Sequence, residues 1–150
     1  MPRYRSYKGK YTPQNPEKYV GDPKNIIYRS LLERRFMVFC DTNPSVMRYA
    51  SEEFFIPYLS PVDNRIHRYF PDFYIEVQKA DGSIDKIVIE VKPSKETEPP
   101  KLNKRKTQRY LNESKTFAVN TAKWDAARQF CEKKGFKFQI LTEKELRPGK

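Results

Sequence analysis

The chain of 150 residues has a single histidine, His67, and only two cysteines, Cys40 and Cys131. Those three side chains make no zinc-ligand spacing, and two isolated cysteines suggest no disulfide framework. No stretch approaches the roughly 18 apolar residues needed to span a bilayer. No amphipathic lysine-rich helix stands out that would lie on an anionic membrane surface. The first residues, MPRYRSYKGK, are basic but lead into no apolar run, so a signal peptide is not expected. A soluble protein of a reducing compartment, with no membrane partner, is the expectation.

Acidic residues are also in the minority. Thirty Lys and Arg face 19 Asp and Glu, a formal charge of +11 with a pI near 9.6. Such an excess points to a polyanionic partner, most commonly nucleic acid. Apolar residues make up 37% and charged residues 33%, so a compact core carrying polar extensions is expected. The length fits one domain.

Residues 1–22 interleave Arg3, Arg5, Lys8, Lys10 and Lys18 with Tyr4, Tyr7, Tyr11 and Tyr19, and contain three prolines. This reads as an extended basic arm suited to phosphate contact and stacking, or as a partner-docking tail. A folded domain over residues 23–150 follows. Asp22-Pro23 predicts a helix start, and Tyr28, Leu31, Leu32, Phe36 and Phe39 predict an apolar stripe running to Cys40. Asn43-Pro44 ends it. Residues 54–59, 66–77 and 84–91 then read as three strands joined by short turns, an antiparallel meander. A basic helix over 101–112, a second helix from about Asn120 to Gly135 and a last strand over 136–141 complete a mixed α/β order.

Two carboxylates sit where folding alone favours apolar side chains. Glu90 lies within Ile87-Val88-Ile89-Glu90-Val91, and Asp72 interrupts an aromatic and β-branched run directly after Pro71. A buried carboxylate costs several kcal/mol unless it is paired or binds a cation. The period of two puts Glu90 and Lys92 on one strand face. A bulge at Pro71 can turn Asp72 towards Glu90. Two convergent carboxylates with a lysine nearby suit Mg²⁺ and the activation of water against phosphorus. A salt bridge at a sheet edge is the plainer alternative.

Pro71-Asp72 followed by Glu90-Val91-Lys92 resembles the signature of the PD-(D/E)xK nuclease superfamily, which implies a restriction-endonuclease-like core: a mixed sheet with an antiparallel meander flanked by helices. The stretches SLLERRF, FPDFYIE, IVIEVKP and AKWDAARQFCEKKGFKFQILTEKEL extend the likeness over essentially the whole chain. They resemble the head-completion nucleases of T-even-type tailed phages, and the second half is similar to the nuclease subunit of Tn7-like transposition. The resemblance implies a Mg²⁺-dependent (or Mn²⁺-dependent) endonuclease on double-stranded DNA. It implies action in the host cytoplasm during virion assembly, after packaging and before tail joining, with head or portal/neck proteins as partners and retention in the virion as a further option.

By the same resemblance Asp72 and Glu90 are metal carboxylates, the Val91 carbonyl a further ligand and Lys92 the base or electrostatic stabiliser. Glu33 would be an outer ligand on the first helix, or else an ordinary i, i+4 partner of a basic residue. His67 lies five residues before Asp72 and reads either as a phosphate contact or as a surface histidine. Arg3, Arg5, Lys8, Lys10, Lys101, Lys104, Arg105 and Arg109 are the candidate DNA-binding residues. Lys101, Arg105 and Arg109 would share one face of a helix. A catalytically silent DNA-binding plug of the virion head explains the charge equally well but leaves Asp72, Glu90 and Lys92 without a role. The sheet aromatics permit RNA binding, though no RNP-like motif supports it.

Overall fold

The computed structural model describes residues 8–102 and 107–146. Arg3, Arg5, Lys104 and Arg105 lie outside the described residues. Residues 8–22 are not an extended arm. Gly9–Tyr11 (β1) pairs antiparallel with Ile26–Tyr28 (β2), and Tyr11 and Tyr19 are buried in the main core. Asp41 fastens this strap: its carboxylate accepts the Tyr11 hydroxyl at 2.6 Å and the backbone N–H groups of Gln14 and Asn15 at 2.7 and 2.8 Å. Tyr11 and Tyr19 are therefore anchors, while Lys8 and Lys10 remain exposed.

The first helix also starts later than Asp22-Pro23. Asp22 Oδ1 instead accepts from the Lys24 N–H in a tight turn, and pairing with β1 claims residues 26–28 as strand. Helix α1 is Leu31–Thr42, with the Ser30 hydroxyl accepting the Glu33 N–H as N-cap and Asn43 closing the other end. Its inward face is Glu33, Phe36, Met37, Cys40 and Asp41, whereas Leu31 and Phe39 of the expected stripe are exposed.

The main sheet has the order β3-β6-β7-β8, formed by Val46–Ser51 (β3), Phe73–Gln78 (β6), Ile84–Val91 (β7) and Lys137–Leu141 (β8). The first three are antiparallel and β8 runs parallel to β7. This corrects the expected meander in two ways. Strand β3 is an extra member, hidden in the sequence because a register shift between Val46 and Arg48 breaks its period of two. The stretch 66–77 is two strands, because Pro71 lacks an N–H for ladder pairing and the chain turns there. Ile56–Leu59 (β4) and Ile66–Tyr69 (β5) form a separate hairpin.

Gln108–Lys134 is a single 27-residue helix, α2, where two helices were expected. No glycine or proline interrupts residues 108–134, so the polar first half continues unbroken into the half that buries Trp124, Ala127 and Cys131. Lys101 precedes this helix and does not share a face with Arg109. Gly135 ends the helix in the left-handed conformation at φ 73°, as its position predicts.

Alternation along β7 divides the interior. Ile87, Ile89 and Val91 join α1, β3 and β6 in one core, together with Tyr49 and Phe73. On the opposite face, Trp124 and Ala127 of α2 pack with Ile56, Tyr58 and Tyr69 of the hairpin and with Phe138 and Ile140 of β8. Glu90 belongs to this second face, and so does Lys92 two residues on.

Candidate active site

Two elements place the acids. Phe73 is in register with Ile89, so the chain just before β6 runs beside Glu90-Val91. Asp72 is fixed there by its own side chain: Oδ2 accepts the Val91 backbone N–H at 2.8 Å. The Asp72 carbonyl in turn accepts the Glu52 N–H at 3.2 Å. Glu52 itself sits at φ 53°, a left-handed conformation uncommon outside glycine, where the β3 edge bends away.

Glu90 is 4% exposed. Its two carboxylate oxygens accept the Tyr69 hydroxyl at 2.8 Å and the Trp124 Nε1–H at 3.4 Å. A buried carboxylate held from two elements is oriented before any substrate arrives. Asp72 is held well above the usual carboxylate range, first by desolvation and then by the charge of Glu90, with Glu33 adding to it. The Val91 N–H and the Lys92 charge oppose that shift.

Glu33 is buried on the inward face of α1, and desolvation raises its carboxyl above its ordinary range. It accepts the Arg29 N–H at 3.2 Å while its own N–H binds Ser30, so it helps close the first turn of the helix. The i, i+4 link to Arg29 is thus made to backbone, and the charge of Glu33 still reaches Asp72. The structure brings Asp72, Glu90, Lys92 and Glu33 to one end of the sheet.

His67 is remote from that role: exposed on the hairpin, it bonds Asp63 at 2.7 Å. Arg109 is exposed and pairs with Glu113 at 2.8 Å, so half of that local charge is already answered. Lys101 is exposed as well.

Four side chains at the site escaped the sequence reading. Tyr69 and Trp124 looked like ordinary core aromatics, and only their contacts with Glu90 reveal a second task. Arg29 bonds Glu52, and its charge is felt by both Glu33 and Asp72. Lys123 on α2 is half-buried, with its ammonium 5.9 and 5.8 Å from the ring centroids of Tyr58 and Tyr69. Desolvation lowers its pKa, Glu90 and Asp72 pull it back up, and Lys92 pushes it down. One signal was available: Lys123 directly precedes Trp124 on a face otherwise apolar.

Among the described residues, no three His, Cys, Asp or Glu side chains converge into a ready-made metal cage. The donor set instead suits a hard cation that keeps much of its water, for which one or two carboxylates suffice. Like charges crowded beside a desolvated Asp72 are the strain that such a cation relieves. The residues present fit the group.

A family model described as the TnsA-like endonuclease N-terminal domain matches residues 43–143. That span carries Asp72, Glu90, Lys92 and Lys123 and leaves Glu33 outside. The chain is also 43% identical, over 146 residues, to a protein named head completion nuclease from Enterobacteria phage T4, covering 95% of each chain. The helix, antiparallel strands, helix and parallel strand agree with the restriction-endonuclease-like fold of such a domain. With a matched span that encloses Asp72, Glu90 and Lys92, the chain belongs to the TnsA-like endonuclease family, a nuclease family of the PD-(D/E)xK type.

Proposed function

We propose that the protein is a Mg²⁺-dependent endonuclease of double-stranded DNA, with Mn²⁺ an acceptable substitute. The observation that carries this reading is the placement of Asp72 beside the buried Glu90 through the Val91 N–H. Asp72 and Glu90 would hold the cation, with the Val91 carbonyl and Glu33 as supporting ligands. A divalent cation bound there supplies Lewis acidity towards a phosphoryl oxygen.

The protein's own groups do the rest. Tyr69 and Trp124 keep the Glu90 carboxylate in one orientation. Lys92 orients the attacking water and offsets the negative charge that builds on the non-bridging phosphoryl oxygens as the new P–O bond forms and the bridging P–O bond breaks, the water's proton passing to solvent and the leaving oxygen taking one from it. Lys123 adds a second cation on the α2 side. The exposed Lys8, Lys10, Lys101 and Arg109 supply phosphate contacts that position the duplex without reading its sequence.

By likeness to the head completion nuclease of the phage, we place the activity in head completion, in the host cytoplasm, after packaging and before tail joining. Its protein partners would be head or portal/neck components. The test is conversion of supercoiled plasmid by the wild type and Asp72→Ala in Mg²⁺, Mn²⁺ or EDTA. Cleavage by the wild type with either cation, abolished by EDTA and by the substitution, is the expected result. Equal cleavage by both proteins, or cleavage that survives EDTA, overturns the proposal.

A further inference from the structure

Helix α2 buries four side chains, Asn120, Trp124, Ala127 and Cys131, at spacings of four, three and four. They form one seam along the inward face of the helix. Three of them suit such a seam, and Asn120 does not. It is 5% exposed, and its side-chain amide makes no hydrogen bond among the described residues. Buried amides are almost always paired, and an apolar side chain of similar shape would serve the seam better. Folding therefore does not account for the amide. Its residual exposure leaves it reachable, unlike the Tyr49 hydroxyl, which is sealed in the core without a partner.

Position supplies the reason. Gly135 turns the chain back, so α2 runs opposite to β8 and hence to β7. Trp124 reaches Glu90, and Asn120 stands one turn, about 6 Å, further towards the end of β7 that carries Lys92. Lys92 is about 7 Å beyond Glu90 along the strand, with its N–H still bonded to the Leu141 carbonyl of β8 at 2.9 Å. Lys123, three residues on from Asn120 and on the same side of the helix, feels the charges of Glu90, Lys92 and Asp72.

We infer that Asn120 is a further catalytic residue, whose side-chain NH₂ donates to a non-bridging oxygen of the scissile phosphate. The inference rests on the nuclease reading above and deepens it by naming a neutral donor beside the two lysines. An amide suits that place. It offers hydrogens to phosphate without adding another positive charge to oppose a cation on Asp72 and Glu90. Packed in a seam, it is aimed before substrate arrives and has no protein partner to give up.

The test uses Asn120→Leu, which has a similar size and lacks the amide, and Asn120→Asp, which keeps the shape and adds a negative charge. Tm with and without Mg²⁺, affinity for a labelled duplex in EDTA and single-turnover cleavage in saturating Mg²⁺ are measured for each. Asn120→Leu unfolds at or above the wild-type temperature and keeps the wild-type rise in Tm on adding Mg²⁺. It cleaves about 100-fold more slowly, the loss of one preorganised donor. Asn120→Asp is at least as slow and binds duplex about fivefold more weakly, as one like charge near phosphate dictates. Wild-type cleavage by Asn120→Leu overturns the inference. A lowered Tm in that variant makes Asn120 a packing residue and overturns it too. Tighter Mg²⁺ binding by Asn120→Asp with cleavage preserved assigns the position to the cation and also overturns it. In all three cases a wild type that cuts duplex leaves the nuclease reading standing, whereas a wild type that cuts no DNA removes both.

Discussion

The Val91 backbone N–H donates to Asp72 Oδ2 at 2.8 Å, and this one bond aligns the acid that precedes β6 with the acid near the end of β7. A peptide N–H cannot rotate away as a side chain can. Sheet register thus holds the Asp72 carboxylate against β7, while Tyr69 and Trp124 hold that of Glu90. The arrangement stores repulsion, since Asp72 is desolvated and faces the charge of Glu90.

That repulsion has a thermal signature. A carboxyl raised in the folded state favours its neutral form, so stability is lost as pH climbs from the ordinary aspartate value through the raised one. Above the raised value the full cost is present. Asp72→Asn keeps an acceptor for Val91 and removes the charge. It should raise Tm in EDTA by about 2–4 °C, the shift that 1 kcal/mol gives in a domain of this size. Added Mg²⁺ should raise the Tm of the wild type and leave that of Asp72→Asn unchanged. Calorimetry with and without the cation checks both.

Cleavage should respond to pH in the opposite sense. On the proposed mechanism the reaction needs the Asp72 carboxylate, so kcat/KM should fall as pH is lowered through its raised pKa, above the usual value of about 3.9. Higher Mg²⁺ favours the ionised form and should move this acid limb to lower pH. A limb that stays fixed across a Mg²⁺ titration would assign it to another group.

Lys123 should contribute without holding the fold together. Lys123→Met keeps the apolar stem over Tyr58 and Tyr69 and removes the cation near Glu90. We expect kcat to fall about 100-fold, comparable with losing one preorganised electrostatic contact. Tm should hold within about 2 °C, the shift of roughly half to one kcal/mol at this size. Lys123→Arg should recover part of the rate. Loss in KM alone would make Lys123 a phosphate contact instead.

The N-terminal strap should be a stability element. Tyr11→Phe removes the hydroxyl that Asp41 accepts at 2.6 Å and leaves a buried carboxylate short of one donor. The cost should be about 1–3 kcal/mol in urea unfolding, with cleavage by the folded protein unchanged.

The two acids stood out in the sequence more plainly than the strand boundaries around them. Glu90 and Asp72 stood out because an acid inside an apolar strand has a large energetic cost, a signal that survives errors in strand boundaries. Even with residues 66–77 read as one strand, the acid after Pro71 was singled out, and the structure sets it against the Val91 N–H. Elements defined by distant pairing were hidden. Residues 26–28 become strand only because β1 pairs with them, and Tyr11 is a core residue only because Asp41 waits 30 positions away. Lys123 carried only one weak signal, its place beside Trp124, because α2 delivers it to Glu90 through tertiary packing, which no local period encodes.

The central claim is that Asp72, Glu90 and Lys92 act as one cation-assisted phosphodiester-cleaving unit. Single-turnover cleavage of a labelled duplex by the wild type, Asp72→Asn, Glu90→Gln and Lys92→Met in saturating Mg²⁺ tests it most directly, with affinity measured in parallel in EDTA. The account predicts that each substitution lowers the rate by at least about 100-fold while the affinity of the two acid variants holds or tightens, because negative charge near phosphate is removed. Wild-type rates in Asp72→Asn or Glu90→Gln, with the protein folded and DNA bound, would contradict it.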